Sequence, residues 1–165
     1  MNIPDISSLK SRAGGAKSKF KKTVSLLKKM KGKEVDSRFH ALHEEAFSEY
    51  DCLKCANCCK TTSPIFRDKD IARLAKHFKM KPGGFVERYL RQDEEGDYVF
   101  TSAPCPFLGA DNYCSVYSVR LDACREYPHT NRKKMNEILD LTLRNTEVCP
   151  AVFGIMEKLS RIAEK

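Results

Sequence analysis

Four cysteines fall within eight positions, Cys52-Leu-Lys-Cys55-Ala-Asn-Cys58-Cys59, in a chain of 165 residues that carries eight cysteines and no tryptophan. Two residues between cysteines let a tight turn aim both sulfurs at one point, with the intervening backbone N–H groups placed to bond thiolates. That spacing suits tetrahedral zinc with sulfur ligands at about 2.3 Å. It also suits iron–sulfur clusters, whose bacterial ferredoxin form repeats the same spacing and adds a further Cys-Pro. Cys52, Cys55 and Cys58 supply the triple, while Cys105-Pro106 and Cys149-Pro150 each supply a remote Cys-Pro.

Adjacent side chains such as those of Cys58 and Cys59 diverge, so a special backbone must bring them to one site or they serve two. With Cys105, Cys114, Cys124 and Cys149 the set allows two four-sulfur sites, or one cluster and one mononuclear metal. All eight are expected metal ligands. Sharing metal with the 52–59 run would clamp the later loops onto the first half, and binding would then contribute folding free energy directly. A redox dithiol at Cys52 and Cys55 is the competing use. Core packing explains the run poorly, because Asp51, Lys54, Asn57 and Lys60 surround it.

The first 36 residues lack the basic start, apolar stretch and small-residue cleavage site of an export signal. The cysteines are therefore expected to face a reducing cytoplasm, where clustered cysteines more often bind metal than form structural disulfides. No apolar run approaches the roughly 20 residues of a membrane span. Charge is uneven: residues 1–36 hold ten Lys and Arg against three acidic residues, and the remainder holds 20 against 19. The formal +8 thus belongs to the N-terminal segment and is poor evidence that the cysteine-bearing part binds nucleic acid.

The elements that must position these sulfurs read as helices. Residues 1–17, with Ser7-Ser8 and Gly14-Gly15, look like a flexible lead, and Phe20, Val24, Leu27 and Met30 form a helical stripe with lysines opposite. A second helix over 36–50 would bury Phe39, Leu42, Ala46, Phe47 and Tyr50. His40 and His43 are neighbours on it, more in keeping with a partly exposed face than with metal ligation. Ile71, Leu74, Ala75 and Phe78 mark another helix after Asp70, Pro82-Gly83-Gly84 a break, Phe85 to Leu90 a short helix and Asp97 to Thr101 a strand. Residues 104–129 are turn-rich. Asn131 to Glu147 is a polar helix or excursion, and a last helix starts at Pro150 with Val152, Met156, Leu159 and Ile162 on its apolar face. The fold class is mainly α: a small helical domain with irregular Cys-rich metal-binding loops and little or no sheet. It divides into a basic N-terminal segment, 1–36, and a cysteine-cluster domain, 37–165.

The ordered motifs Cys52-x2-Cys55-x2-Cys58-Cys59, Cys105-Pro106-Phe107-Leu108, Cys114-Ser-Val-Tyr117 and Arg120-x3-Cys124-Arg125-x-Tyr127-Pro128 resemble the YkgJ-type cysteine cluster family over about residues 50–150. The chain departs from it at Leu121, where the family usually has Pro, and at His129, where Phe commonly follows Tyr-Pro. The resemblance implies a zinc- or iron-chelating domain. Flagellin lysine N-methylases carry a related cluster, which implies by analogy an iron–sulfur or methylation-related enzyme component as an alternative; no glycine-rich loop follows a strand to hold an adenosyl cofactor.

The first function expected is therefore a metal-binding protein that chelates zinc or iron, with an iron–sulfur cluster among the options. Arg120 and Arg125 would neutralise the thiolates or brace the metal loop. The sequence defines no acid–base pair and no substrate site, and hence no reaction. A zinc-stabilised nucleic-acid-binding module, with residues 10–33 contacting phosphates, is a third reading that demands steeply salt-dependent binding. A protein partner on the N-terminal helix is expected ahead of nucleic acid.

Overall fold

Leu9, Ala13, Phe20, Val24 and Leu27 recur at helical spacing, and all are buried along one face of a 19-residue helix in the computed structural model, which describes residues 6–163. This helix, α1 (Leu9–Leu27), starts well before the expected Phe20 stripe. The lead foreseen over residues 1–17 is therefore helical from Leu9 onward, and residues 1–5 lie outside the described residues. Gly14 and Gly15 do not break it; both sit on the exposed side, where a Cβ would meet nothing within 4 Å.

The chain forms two compact units, one made of residues 1–55 and 128–165 and the other of residues 56–127. The boundary expected between residues 36 and 37 falls within the first unit. In that unit α1 is followed by α2 (Gly32–Glu49), the single turn α3 (Cys52–Cys55), a 3-10 turn (Met135–Glu137), α8 (Leu139–Asn145) and α9 (Pro150–Ala163). The α9 helix packs on both α1 and α2. Phe20 meets Phe153 edge-on at 5.5 Å between centroids, the Arg12 guanidinium lies 4.6 Å over the Phe153 ring, and the buried hydroxyls of Thr23 and Ser160 are 2.9 Å apart. Val152, Ile155, Met156 and Leu159 are buried along α9, while Ile162, expected on that face, is exposed. Asp36 receives the backbone N–H groups of Lys134 and Met135 at 2.9 and 2.7 Å and so caps the 3-10 turn.

The second unit contains α4 (Asn57–Thr61), α5 (Asp68–His77), α6 (Pro82–Tyr89), a two-stranded antiparallel sheet of β1 (Leu90–Gln92) and β2 (Tyr98–Phe100), a 3-10 turn (Tyr117–Val119) and α7 (Asp122–Glu126). Leu90 pairs with Phe100 and Gln92 with Tyr98. Pro82, expected to break the chain, instead begins α6, at a position where a helix requires no N–H donor. Phe66, Ile71, Leu74, Phe85, Phe100, Phe107, Val116 and Leu121 form the core of this unit. Phe107, Val116 and Leu121 anchor the turn-rich stretch that carries Cys105, Cys114 and Cys124. Mainly helical structure with this one small sheet matches the expected fold class.

Candidate metal centre

In the first unit, α3 places Cys52 and Cys55 one helical turn apart. Asp51 caps it: the Leu53 N–H donates to Asp51 Oδ1 at 3.0 Å, and the Cys55 N–H to the Asp51 carbonyl at 3.1 Å. Cys52 is exposed and Cys55 half-buried. Cys149 sits at the N-terminal end of α9 and is buried, with the Ala151 and Val152 N–H groups donating to its sulfur. Burial pushes the Cys149 thiol up to about 12, and the nearby charges of Cys52 and Cys55 push in the same direction. The Cys149 thiol thus feels both of the others.

The second unit holds the other five. Ala56, in the left-handed region at φ 48°, opens α4, on which Cys58 and Cys59 are adjacent with sulfurs 4.0 Å apart. The hydrogen bond with Cys58 draws the Cys59 thiol down to about 7, against the opposing effect of burial and with help from Lys60. The Cys105 N–H donates to the Cys59 carbonyl at 2.8 Å, which ties the 105–108 turn to α4. Within that turn the Phe107 and Leu108 N–H groups point at the Cys105 sulfur. Leu108 forms an antiparallel bridge with Cys114, and the Val116 N–H points at the Cys114 sulfur. Cys124 follows on α7.

Like charge crowds this group. Burial pushes Cys105 up to about 11, with Cys59 and Cys114 adding to the shift; Cys114 is raised by burial and by Cys59. Cys124 is pushed up to about 12 by loss of hydration around its sulfur and by Cys59, Cys105 and Cys114. Arg120 opposes the shift at both Cys114 and Cys124.

Four thiols whose ionised forms repel one another, with backbone donors aimed at two of them, form a donor set suited to a thiophilic cation. A bound cation inverts the local electrostatics and favours thiolate throughout. Among the described residues, no three His, Cys, Asp or Glu side chains converge closely enough to grip an ion as they stand. The thiols are grouped without being closed.

His40 and His43 are engaged elsewhere: His40 Nε2–H donates to the Arg132 carbonyl at 2.8 Å, and His43 Nδ1 lies 2.8 Å from Thr130 Oγ1. Arg120 and Arg125 brace the loop, as the structural reading of the sequence expected. Arg120 covers the Tyr117 ring at 3.7 Å and donates to the Tyr117 carbonyl at 2.8 Å, and Arg125 donates to the carbonyls of Ser118 at 3.0 Å and Arg120 at 3.2 Å. Leu121 is buried with φ −56°, a backbone that proline would also adopt, so core packing replaces the missing ring as the restraint. His129 occupies the left-handed region at φ 67°.

Sequence reasoning assigned no role at the site to Asp70 and Arg73, which contact the loop between Cys114 and Cys124. The available signal was an Asp-x-x-Arg pair, Asp70 and Arg73, interleaved with the apolar Ile71, Ala72, Leu74 and Ala75. Among the described residues no helix is long and apolar enough to cross a membrane.

A family model described as "CxxCxxCC: putative zinc- or iron-chelating domain" matches residues 51–149. No curated protein and no solved structure matches the chain.

Proposed function

The chain belongs to the CxxCxxCC zinc- or iron-chelating family, and from that premise we propose that its eight cysteines hold metal in two thiolate groups, one in each compact unit. Cys59, Cys105, Cys114 and Cys124, with Cys58 beside them, form the group of the second unit; Cys52, Cys55 and Cys149 form that of the first. The observation that carries this reading is the mutual like-charge effect among the four second-unit thiols. Cys105, Cys114 and Cys124 resist ionisation by themselves while Cys59 ionises more easily, and all four would give up their protons to a divalent cation. The Cys58–Cys59 sulfur separation of 4.0 Å is also close to the edge of about 3.8 Å that a tetrahedron with 2.3 Å zinc–sulfur bonds would have.

In this reading the metal supplies cross-linking. Cys59 on α4, Cys105 and Cys114 in the irregular stretch and Cys124 on α7 become one rigid point, and ligation contributes to folding. Zinc held by four thiolates acts structurally, since a catalytic site retains an open position. Iron in the same ligands would add electron transfer. Support for a structural or storage centre over an enzyme comes from the guanidinium groups beside the thiols, which bond backbone carbonyls of the loop.

Anaerobic purification followed by metal and acid-labile sulfide analysis, with a visible spectrum, tests the proposal. We expect at least one equivalent of zinc or iron per chain, with colour and sulfide if the metal is a cluster. Cys105→Ser and Cys124→Ser should each lower the metal content and the folded yield. Metal-free protein with its cysteines in disulfides would overturn the reading.

A further inference from the structure

The segment that joins Cys114 to Cys124 has little regular structure of its own, consisting of one 3-10 turn and the first residues of α7. Four consecutive carbonyls along it, those of Tyr117, Ser118, Val119 and Arg120, all accept hydrogen bonds from arginine side chains. Two of these arginines, Arg120 and Arg125, travel with the loop. Arg73 is anchored elsewhere, on α5, where Ile71, Leu74 and Ala75 are buried in the core.

Arg73 spreads its fork across the loop, with Nε donating to the Val119 carbonyl at 3.1 Å and Nη2 to the Arg120 carbonyl at 2.9 Å. The same Nη2 pairs with Asp70 and lies 3.4 Å from Asp122 Oδ1. Asp70, 1% exposed, in turn accepts the Asp122 N–H at 3.2 Å through Oδ1 and the Arg67 N–H at 3.3 Å through Oδ2. Lys69 closes the set on Asp122. A buried carboxylate is thus satisfied by one guanidinium and two backbone amides. One of those amides is the first residue of α7, the helix that bears Cys124.

We infer that the Asp70–Arg73 pair is a positioning device for the metal centre: it fixes residues 117–122 on α5 and thereby sets where the Cys114 and Cys124 sulfurs stand relative to each other. The inference rests on the proposed thiolate centre. Outer partners of this kind orient ligands, and their loss commonly weakens metal binding by about 10–100-fold. Only a planar fork can hold Asp70 and two successive carbonyls together. Lysine keeps the charge beside Asp70 but cannot bridge all three.

The test uses Arg73→Lys in the full chain, with Arg38→Lys, on the exposed face of α2, as a control. The probe is Co(II) alone, added anaerobically to metal-free protein. Its affinity and the positions of its thiolate and d–d bands are read, together with amide exchange over residues 117–125 before metal addition. We expect Arg73→Lys to bind Co(II) at least about tenfold more weakly, with shifted bands and about fivefold or more faster exchange, and Arg38→Lys to match the parent. A centre unchanged within about twofold, with unchanged exchange, overturns the inference.

If the parent chain takes up no Co(II), the metal-centre reading fails and exchange alone decides: faster exchange in Arg73→Lys sustains the device, and equal rates overturn it. If Arg73→Lys does not fold, the double variant Asp70→Asn/Arg73→Met, which leaves no uncompensated charge, carries the same readouts. Failure of both to fold assigns the pair to core stability and overturns the positioning role.

Discussion

The imidazole of His43 lies against the Phe47 ring, with centroids 4.4 Å apart, and its Nδ1 is 2.8 Å from the fully buried hydroxyl of Thr130. Burial holds its pKa below the ordinary 6.5, with His40 adding to the effect and Glu44 opposing it. The imidazolium is therefore disfavoured in the folded chain, so the unfolded chain takes up the proton first. The stability that His43 supports is present above the ordinary histidine value, falls as pH drops through it and levels off below the folded value. Urea unfolding of metal-free protein at about pH 7.5 and about pH 5.5 should show a loss of stability on acidification that is smaller in His43→Gln. An identical loss in both proteins would remove His43 as the cause. The same residue marks what was legible at this scale. Spacing identified the cysteines as a constellation and left the histidines outside it, but which sulfurs share a group depends on contacts between residues as far apart as Cys55 and Cys149.

At the scale of elements, apolar stripes at three- and four-residue spacing marked α2, α5 and α9, because each buries one face. The same logic applied to Leu9 and Ala13 would have extended α1 to its true start. Gly14-Gly15 masked the pattern, since glycine weakens a helix and reads as a loop. Both glycines are exposed, and a Cβ on either would meet nothing within 4 Å. Gly14→Ala and Gly15→Ala should therefore each stabilise the protein by roughly 0.5–1 kcal/mol, measured as a higher urea midpoint with unchanged slope. A lower midpoint for either would mean that α1 is not continuous through this point. The turn-rich stretch was legible only as irregular, because its order comes from outside itself: Phe107, Val116 and Leu121 pack into the core, and Arg73 reaches the loop from 46 residues away. Beyond the Asp-x-x-Arg spacing on α5, no local pattern signals such long-range support.

At the scale of the whole molecule, most of the excess positive charge lies on the first helix, yet charge and helix are separable properties. Phe20, Val24 and Leu27 face inward, while Lys21 and Lys22 lie on the exposed side of α1. Deleting residues 1–36 removes α1 and the start of α2, Gly32–Asp36, and uncovers the face of α9 that α1 packs on, so the truncated chain should lose cooperative unfolding of the first unit by calorimetry. Lys21→Glu/Lys22→Glu, by contrast, should stay within about 0.5 kcal/mol of the parent, as surface changes usually do. That variant, not the deletion, is the proper test of any phosphate-binding role. A truncated chain with the parent's full transition would show the segment to be dispensable.

The first unit is assembled from both ends of the chain, and the second is one uninterrupted stretch. The two therefore differ in how much of the chain must be made before each is complete. Every residue of the second, 56–127, is synthesised before Pro150, the first residue of α9. The faces of α1 and α2 that α9 covers stay uncovered until Pro150–Ala163 has been added. A product that stops short of Pro150 lacks α9, and Phe20 then loses its edge-on partner Phe153.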